Sequence, residues 1–440
     1  MTSWVEHAIV WQVYPLGFVG ADIRPERPAP LAHRLPRLID WLDYAVELGA
    51  SALLLGPIFA SASHGYDTID HFRIDPRLGD EADFDALIRA AGSRGLKVAL
   101  DGVFNHVSRR HPAFQEALAR GPSAPGAALF RLSWASGEPE AATFEGHSEL
   151  VVLDHDRPEV EDLVAAVMIH WLDRGIGGWR LDAAYAVPAR FWARVLPRVR
   201  ARHPDAYLFA EVIHGDYAGF VTASGVDSVT QYELWKAIWS ALNDRNVHEL
   251  AWALDRHNGL LDAFVPQTFV GNHDVTRLAS RLSDPRGIEC ALAILMTCGG
   301  TPSIYAGDEQ AFRGVKEDRL GGDDAVRPAF PDRPEALSAL GLPVFRRHQE
   351  LIGLRRRHPW LHRAKTRVVH LAYQRFVYEA FEGENRLMIA LNLGEGTDLP
   401  APGMRSVLAG RDARLKTGAG EARVALGEGA WAILSPAEPL

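Results

Sequence analysis

The chain has 440 residues, 47% of them hydrophobic and 23% charged, with a formal net charge of −9. That composition is ordinary for a globular protein in water, and the negative charge argues against nucleic acid or an anionic membrane as a partner. No stretch approaches the roughly 18 apolar residues of a membrane-spanning helix. The first residues, Met1 to His7, lack the charged and apolar regions of an export signal, so a cytoplasmic protein is expected.

Apolar, β-branched runs alternate with longer amphipathic segments, the mark of βα units around a parallel sheet. In chain order, strands are expected near 9–14, 52–58, 97–104, 178–183, 207–212, 227–232, 266–271 and 301–306. Helical periodicity is expected over 36–48, 82–94, 158–173, 188–201, 233–255 and 286–297. Asp80 and Asp83 give the helix near 82 an acid-rich start. Eight such repeats close a barrel, whereas an open doubly wound sheet usually needs fewer. Cys290 and Cys298, on the last of these helices and its end, read as reduced, buried small hydrophobes.

Two stretches depart from the repeat. Residues 107–150 are rich in Gly, Pro, Ser and Ala, and a long loop in a compact domain is usually functional. Past residue 360, the runs Val368–Tyr373, Arg375–Phe381, Arg386–Asn392 and Ala430–Leu434 have the patterning of antiparallel strands. The expected fold class is therefore α/β. A (β/α)8 TIM barrel covers 1–106 and 151–360, a short excursion follows strand 3 over 107–150, and a C-terminal β-sandwich covers 361–440.

Four segments carry the chemistry: Asp101-Gly102-Val103-Phe104-Asn105-His106, Gly178-Trp179-Arg180-Leu181-Asp182-Ala183, Phe209-Ala210-Glu211-Val212 and Phe269-Val270-Gly271-Asn272-His273-Asp274. In each, an apolar strand run ends in polar residues, which is how a β/α barrel builds a site at its strand tips. Asp182, Glu211 and Asp274 follow strands 4, 5 and 7 and can face one pocket. Retaining cleavage of a glycosidic bond needs one carboxylate as nucleophile and a second as acid, then base. Arg180 stands two residues before Asp182, on the same strand face, where its guanidinium is expected to keep Asp182 ionised. His106 and His273 are placed to donate hydrogen bonds to sugar hydroxyls. Trp235 and Trp239, at helical spacing, read as core.

These segments resemble the four signature regions of the α-amylase family of glycoside hydrolases, in the family's order. Further matches are His64-Gly65-Tyr66-Asp67 and the strand 8 ending Thr301-Pro302-Ser303-Ile304-Tyr305-Ala306-Gly307-Asp308-Glu309. Together they cover roughly residues 8–360. The resemblance implies Asp182 as nucleophile, Glu211 as acid/base and Asp274 as transition-state stabiliser. It implies Tyr66 stacking on the glucose ring, His106, Arg180 and His273 completing the binding shell, and Asp101 supporting it. Asp324 and Arg327 would grip the next sugar outward. Asn105 matches a calcium ligand of many members; the reaction itself requires no cofactor, and Ca2+ is an optional ion.

Two departures narrow the reading. A Lys-His pair that contacts leaving-group sugars in many starch-cleaving members is replaced by Tyr185-Ala186. Glu211-Val212-Ile213-His214 and Asn272-His273-Asp274-Val275-Thr276-Arg277 are similar to the neopullulanase and cyclomaltodextrinase branch. The implied partner is an α-glucan or oligosaccharide, with maltooligosaccharides or cyclodextrins expected and some transfer to sugar acceptors. A trehalose- or sucrose-type isomerase or transglycosylase would use the same triad. A non-catalytic scaffold subunit would be expected to lose one of the acids.

Overall fold

The computed structural model describes residues 4–27, 29–135, 139–417 and 421–437. Eight parallel strands form one sheet: β1 Val10–Val13, β2 Ala52–Leu55, β3 Lys97–Gly102, β4 Gly178–Leu181, β5 Tyr207–Ala210, β6 Ser228–Val229, β7 Gln267–Phe269 and β8 Thr301–Tyr305. β1 pairs with both β2 and β8, and the order runs from β6 through β1 to β7. A parallel bridge between Thr230 and Gln267 joins the two ends, so the sheet closes into a barrel. All eight expected strands are present, and apart from Lys97 at the start of β3 each is buried along its length.

Alternation along the strands assigns their two faces. Trp11, Leu53, Leu55, Leu100, Trp179, Leu181 and Leu208 belong to the large core shared with the helices. Val10, Ala52, Leu54, Ala99, Tyr207 and Phe209 form a separate cluster inside the barrel. By the same parity Gln12, Asp101, Arg180, Asp182 and Glu211 point inward at or just past the C-terminal strand ends. The register supports this, since Arg180 lies opposite Asp101 on β3 and Phe209 on β5.

The helices follow their predicted spans with local corrections. Glu81–Ser93 starts from a capping box, with Asp80 accepting from the Asp83 amide and Asp83 accepting from the Asp80 amide. Pro158–Asp173 matches the expected bounds, and Ala189–Arg202 is displaced by one residue. The segment 36–48 divides into Pro36–Ile39 and Leu42–Leu48. The single helix expected over 233–255 is two, Tyr232–Asp244 and His248–Leu261. The break is at Arg245, in the left-handed region at φ 52°, whose guanidinium caps the Leu393 carbonyl of the C-terminal part. No helix among the described residues is long and apolar enough to cross a membrane.

The segment after β3 is more ordered than its composition suggests. His106–Ser108 pairs antiparallel with His147–Val152, which in turn pairs with Thr143–Phe144, and the helix Pro112–Arg120 lies between. At the C-terminal end stand six antiparallel strands: β9 Lys365–Ala372, β10 Arg375–Glu382, β11 Asn385–Asn392, β12 Thr397–Pro400, β13 Ser406–Lys416 and β14 Arg423–Ser435. A sandwich would have two separate sheets, but hydrogen bonds link all six into one. The 13-residue β14 serves both halves, pairing β11 through Ala430–Leu434 and β12 through Arg423–Leu426. The sheet curls around Val377, Met388, Leu399, Val424 and Leu426.

Candidate active site

The inward-pointing strand ends meet at Arg180. Its guanidinium is 3% exposed and lies 2.6 Å from Asp101, 2.7 Å from Glu211, 3.1 Å from Asp182 and 3.9 Å from Asp274. One cation thus serves four carboxyl groups from β3, β4, β5 and the end of β7. A second, Arg327, donates to Asp274 at 2.7 Å and to the His273 carbonyl at 2.9 Å. Asp182, Glu211, Asp274 and Arg327 line a cavity of about 800 Å3.

The acids differ in what surrounds them. Both Glu211 oxygens accept hydrogen bonds: Oε1 from the Tyr232 hydroxyl at 3.0 Å, Oε2 from the Ala183 amide at 3.0 Å. With Arg180 at 2.7 Å, three donors fix this carboxyl group in place. Burial pushes Asp182 well above the usual carboxylate range; Arg180 opposes this, while Glu211, Asp101 and Asp274 reinforce it. Arg180, expected to keep Asp182 ionised, thus opposes burial without overcoming it, because a single guanidinium is shared among four acids. Burial also raises Asp101, to about 6, despite two contacts from Arg180 and one from Tyr66. Burial alone would raise Asp274 too, but His273, Arg327 and Arg180 more than offset it and hold it below the usual range. Burial lowers His273 to about 3 and keeps it neutral, so the two guanidiniums are the lasting cause.

The backbone sets these positions. Ala183, directly after Asp182, sits in the left-handed region at φ 45°, a conformation that is strained for a residue with a Cβ. That turn aims its amide at Glu211 and ties β4 to β5. At the end of β7, a Cβ on Gly271 would stand 2.2 Å from an Asp308 oxygen. Glycine there lets the strand end lie against the buried Arg277–Asp308 pair, 2.9 Å apart.

Several assigned roles change. His106 donates from Nε2 to the Tyr66 carbonyl at 2.9 Å, while its Nδ1 faces the Asn105 amide nitrogen at 3.1 Å. Both ring nitrogens are thus engaged within the protein, and His106 holds Tyr66 in place. His273 is bonded to Gln12 at 3.0 Å and to Tyr66, whose ring stacks on it at 5.4 Å. Arg327 is committed to Asp274 and to Asp323, at 3.3 Å. Asp324 points away and forms a half-exposed pair with Arg24 at 2.8 Å; its neighbour Asp323 lines the cavity instead. Trp235, read as core, also lines the cavity, whereas Trp239 packs against the core under Arg281. His214 is exposed.

Sequence reasoning missed Tyr232, Asn272 and Gln12. Asn272 donates to the Tyr232 hydroxyl at 2.9 Å and accepts from the Asp274 amide at 2.9 Å, so it links two of the acids. Tyr232 opens a helix and Gln12 lies on β1; neither stands next to Asp182, Glu211 or Asp274 in sequence, and only strand parity would have turned Gln12 inward.

Among the described residues, no group of three His, Cys, Asp or Glu ligand atoms includes the neighbours of Asn105. The Asn105 side-chain nitrogen meets His106 and its backbone carbonyl accepts from the Leu153 amide at 3.0 Å. Among the described residues, the one group of three His, Cys, Asp or Glu ligand atoms is His33, Asp80 and Asp83, which lies elsewhere and is used in the helix cap.

The α-amylase catalytic domain model matches residues 12–145 and 133–332. A cyclomaltodextrinase of Geobacillus thermopakistaniensis is 29% identical over 91% of this chain and 71% of its own length. Neopullulanase 2 of Thermoactinomyces vulgaris is 30% identical over 86% of this chain and 67% of its own. Among solved structures, the Nostoc punctiforme debranching enzyme superposes with a TM-score of 0.82 at 27% identity, covering 99% of both chains. With the ends of β4, β5 and β7 delivering Asp182, Glu211 and Asp274 to one cavity, the chain belongs to the α-amylase family of glycoside hydrolases.

Proposed function

We propose that the protein is a retaining hydrolase of short α-glucans, maltooligosaccharides and cyclodextrins, with Asp182 as nucleophile and Glu211 as acid/base. The observation that carries this is the juxtaposition of the two acids on adjacent strand ends, joined through Arg180. Glu211 would donate its proton to the glycosidic oxygen as the C1–O bond breaks and Asp182 bonds to C1. Water then attacks C1, Glu211 takes the water's proton, and the Asp182–C1 bond breaks. Asp274, held ionised by two guanidiniums, faces the positive charge that develops on the ring.

The named relatives support the substrate class, and the short excursion together with Tyr185-Ala186 supports short substrates. Incubation with maltotriose, γ-cyclodextrin, pullulan, trehalose and sucrose, followed by NMR of the first-formed anomer, tests the reading. Cleavage of the maltooligosaccharides with an initial α-anomer is expected. Initial β-anomer would overturn retention, and rearranged trehalose or sucrose would replace hydrolysis with isomerisation.

The reaction is proposed to run without calcium, since the donors around Asn105 do not suit a hard cation. Dialysis against EDTA is expected to leave the melting temperature within about 2 °C of its starting value. A larger fall that Ca2+ reverses would overturn this.

A further inference from the structure

One contact across the cavity mouth is used by none of these steps. In the segment after β3, Phe144 pairs with His147, and Glu145-Gly146 make the two-residue turn between them. Both turn residues have positive φ, 49° and 80°, as a type I′ hairpin requires. That turn favours Asn, Asp or Gly at its first position, because a longer side chain is strained there. Glu145 gives up that preference, and its carboxylate accepts a hydrogen bond from the Tyr185 hydroxyl at 2.8 Å.

Both ends of this bar are anchored in the site. Phe144 stacks on His106, with ring centroids 4.7 Å apart and planes 13° from parallel. Tyr185 follows Asp182 within the same turn, and its amide donates to the Glu211 carbonyl at 3.3 Å. The bar therefore links the excursion hairpin to the loop that follows Asp182 and is bonded to Glu211.

Its position relative to Glu211 gives it a side. The acid/base delivers its proton to the leaving group, so the leaving sugar occupies the open part of the cavity next to Glu211. Of the residues lining the cavity, Tyr185 is bonded to Glu211 through its amide and Ile213 follows Glu211 by two residues, whereas Arg327 is bonded to Asp274. Resting on the proposed hydrolysis, we infer that the Glu145–Tyr185 bar determines specificity on the leaving-group side. A short leaving group fits beneath it, whereas a polymer chain that continues past the cleavage point must displace it.

Glu145→Asn suits the turn but is too short to reach Tyr185, so it breaks the bar without straining the hairpin. Tyr185→Phe breaks the same hydrogen bond from the other end. Glu145→Gln keeps both reach and an acceptor oxygen. The readout is kcat/KM on soluble starch divided by kcat/KM on maltotriose. Glu145→Asn and Tyr185→Phe are expected to raise this ratio at least about five-fold each, with no further gain in the double variant. Glu145→Gln is expected to stay within about two-fold of the parent. Ratios within two-fold of the parent for both bar-breaking variants would overturn the inference while leaving hydrolysis intact. A parent protein inactive on every α-glucan would overturn the hydrolase reading, and the inference with it.

Discussion

Asp182→Asn is expected to lower turnover of maltotriose by about four orders of magnitude or more, as loss of a covalent nucleophile does. The substitution keeps the shape of the side chain and its contact with Arg180, which lies 3.1 Å away. It also removes an acid that burial holds well above its usual range. The fold should therefore survive unchanged or gain slightly at neutral pH, so lost activity and lost structure separate cleanly. A variant retaining a tenth of the parent rate on a natural glucoside would show that Asp182 does not form the covalent bond. Glu211→Gln would then be compared on natural and activated glucosides. An activated leaving group needs no protonation, so equal losses on both would count against Glu211 as the acid.

What could be read in advance followed from period and order. The eight strands were visible because a buried parallel strand is apolar on both faces, as in Ala52-Leu53-Leu54-Leu55. Even β6, only two residues long as hydrogen-bonded, was marked by the run around Ser228 and Val229. Strand parity also placed Arg180 and Asp182 on one face. The sharing of charge was not legible, since Arg180 meets acids 79, 31 and 94 residues away as well as its neighbour Asp182. A guanidinium divided four ways cannot do for Asp182 what a private partner would. The exchange of Asp324 for Asp323 has a similar origin. The 3-10 turn Asp324–Val326 turns the two adjacent acids in different directions, which sequence alone does not resolve. The split at Arg245 depended on a tertiary contact with Leu393, 148 residues on.

Arg180→Met is expected to destabilise the fold by about 3–5 kcal/mol near neutral pH, the usual result of removing one member of a buried ion cluster. Asp101 at 2.6 Å and Glu211 at 2.7 Å would lose their shared cation, while Asp274 would keep Arg327. The sign with pH follows from the acids that remain. Asp101, at about 6, and Asp182 are already raised with Arg180 in place, against an ordinary value near 4. Without the cation both rise further. An acid raised in the folded state contributes stability that is present below its unfolded value and lost as pH climbs through the folded one. The gap in melting temperature between parent and variant should therefore be small at about pH 4.5, where the acids hold protons, and wide at about pH 7.5. Asp274 runs the other way, but it does so in both proteins and largely cancels. Arg180→Lys, which keeps a point charge but loses the planar fork, should fall between the two. Melting curves across that range decide the matter. A gap that is flat, or that widens towards acid, would mean that Arg180 holds the barrel mouth together by packing and not by charge.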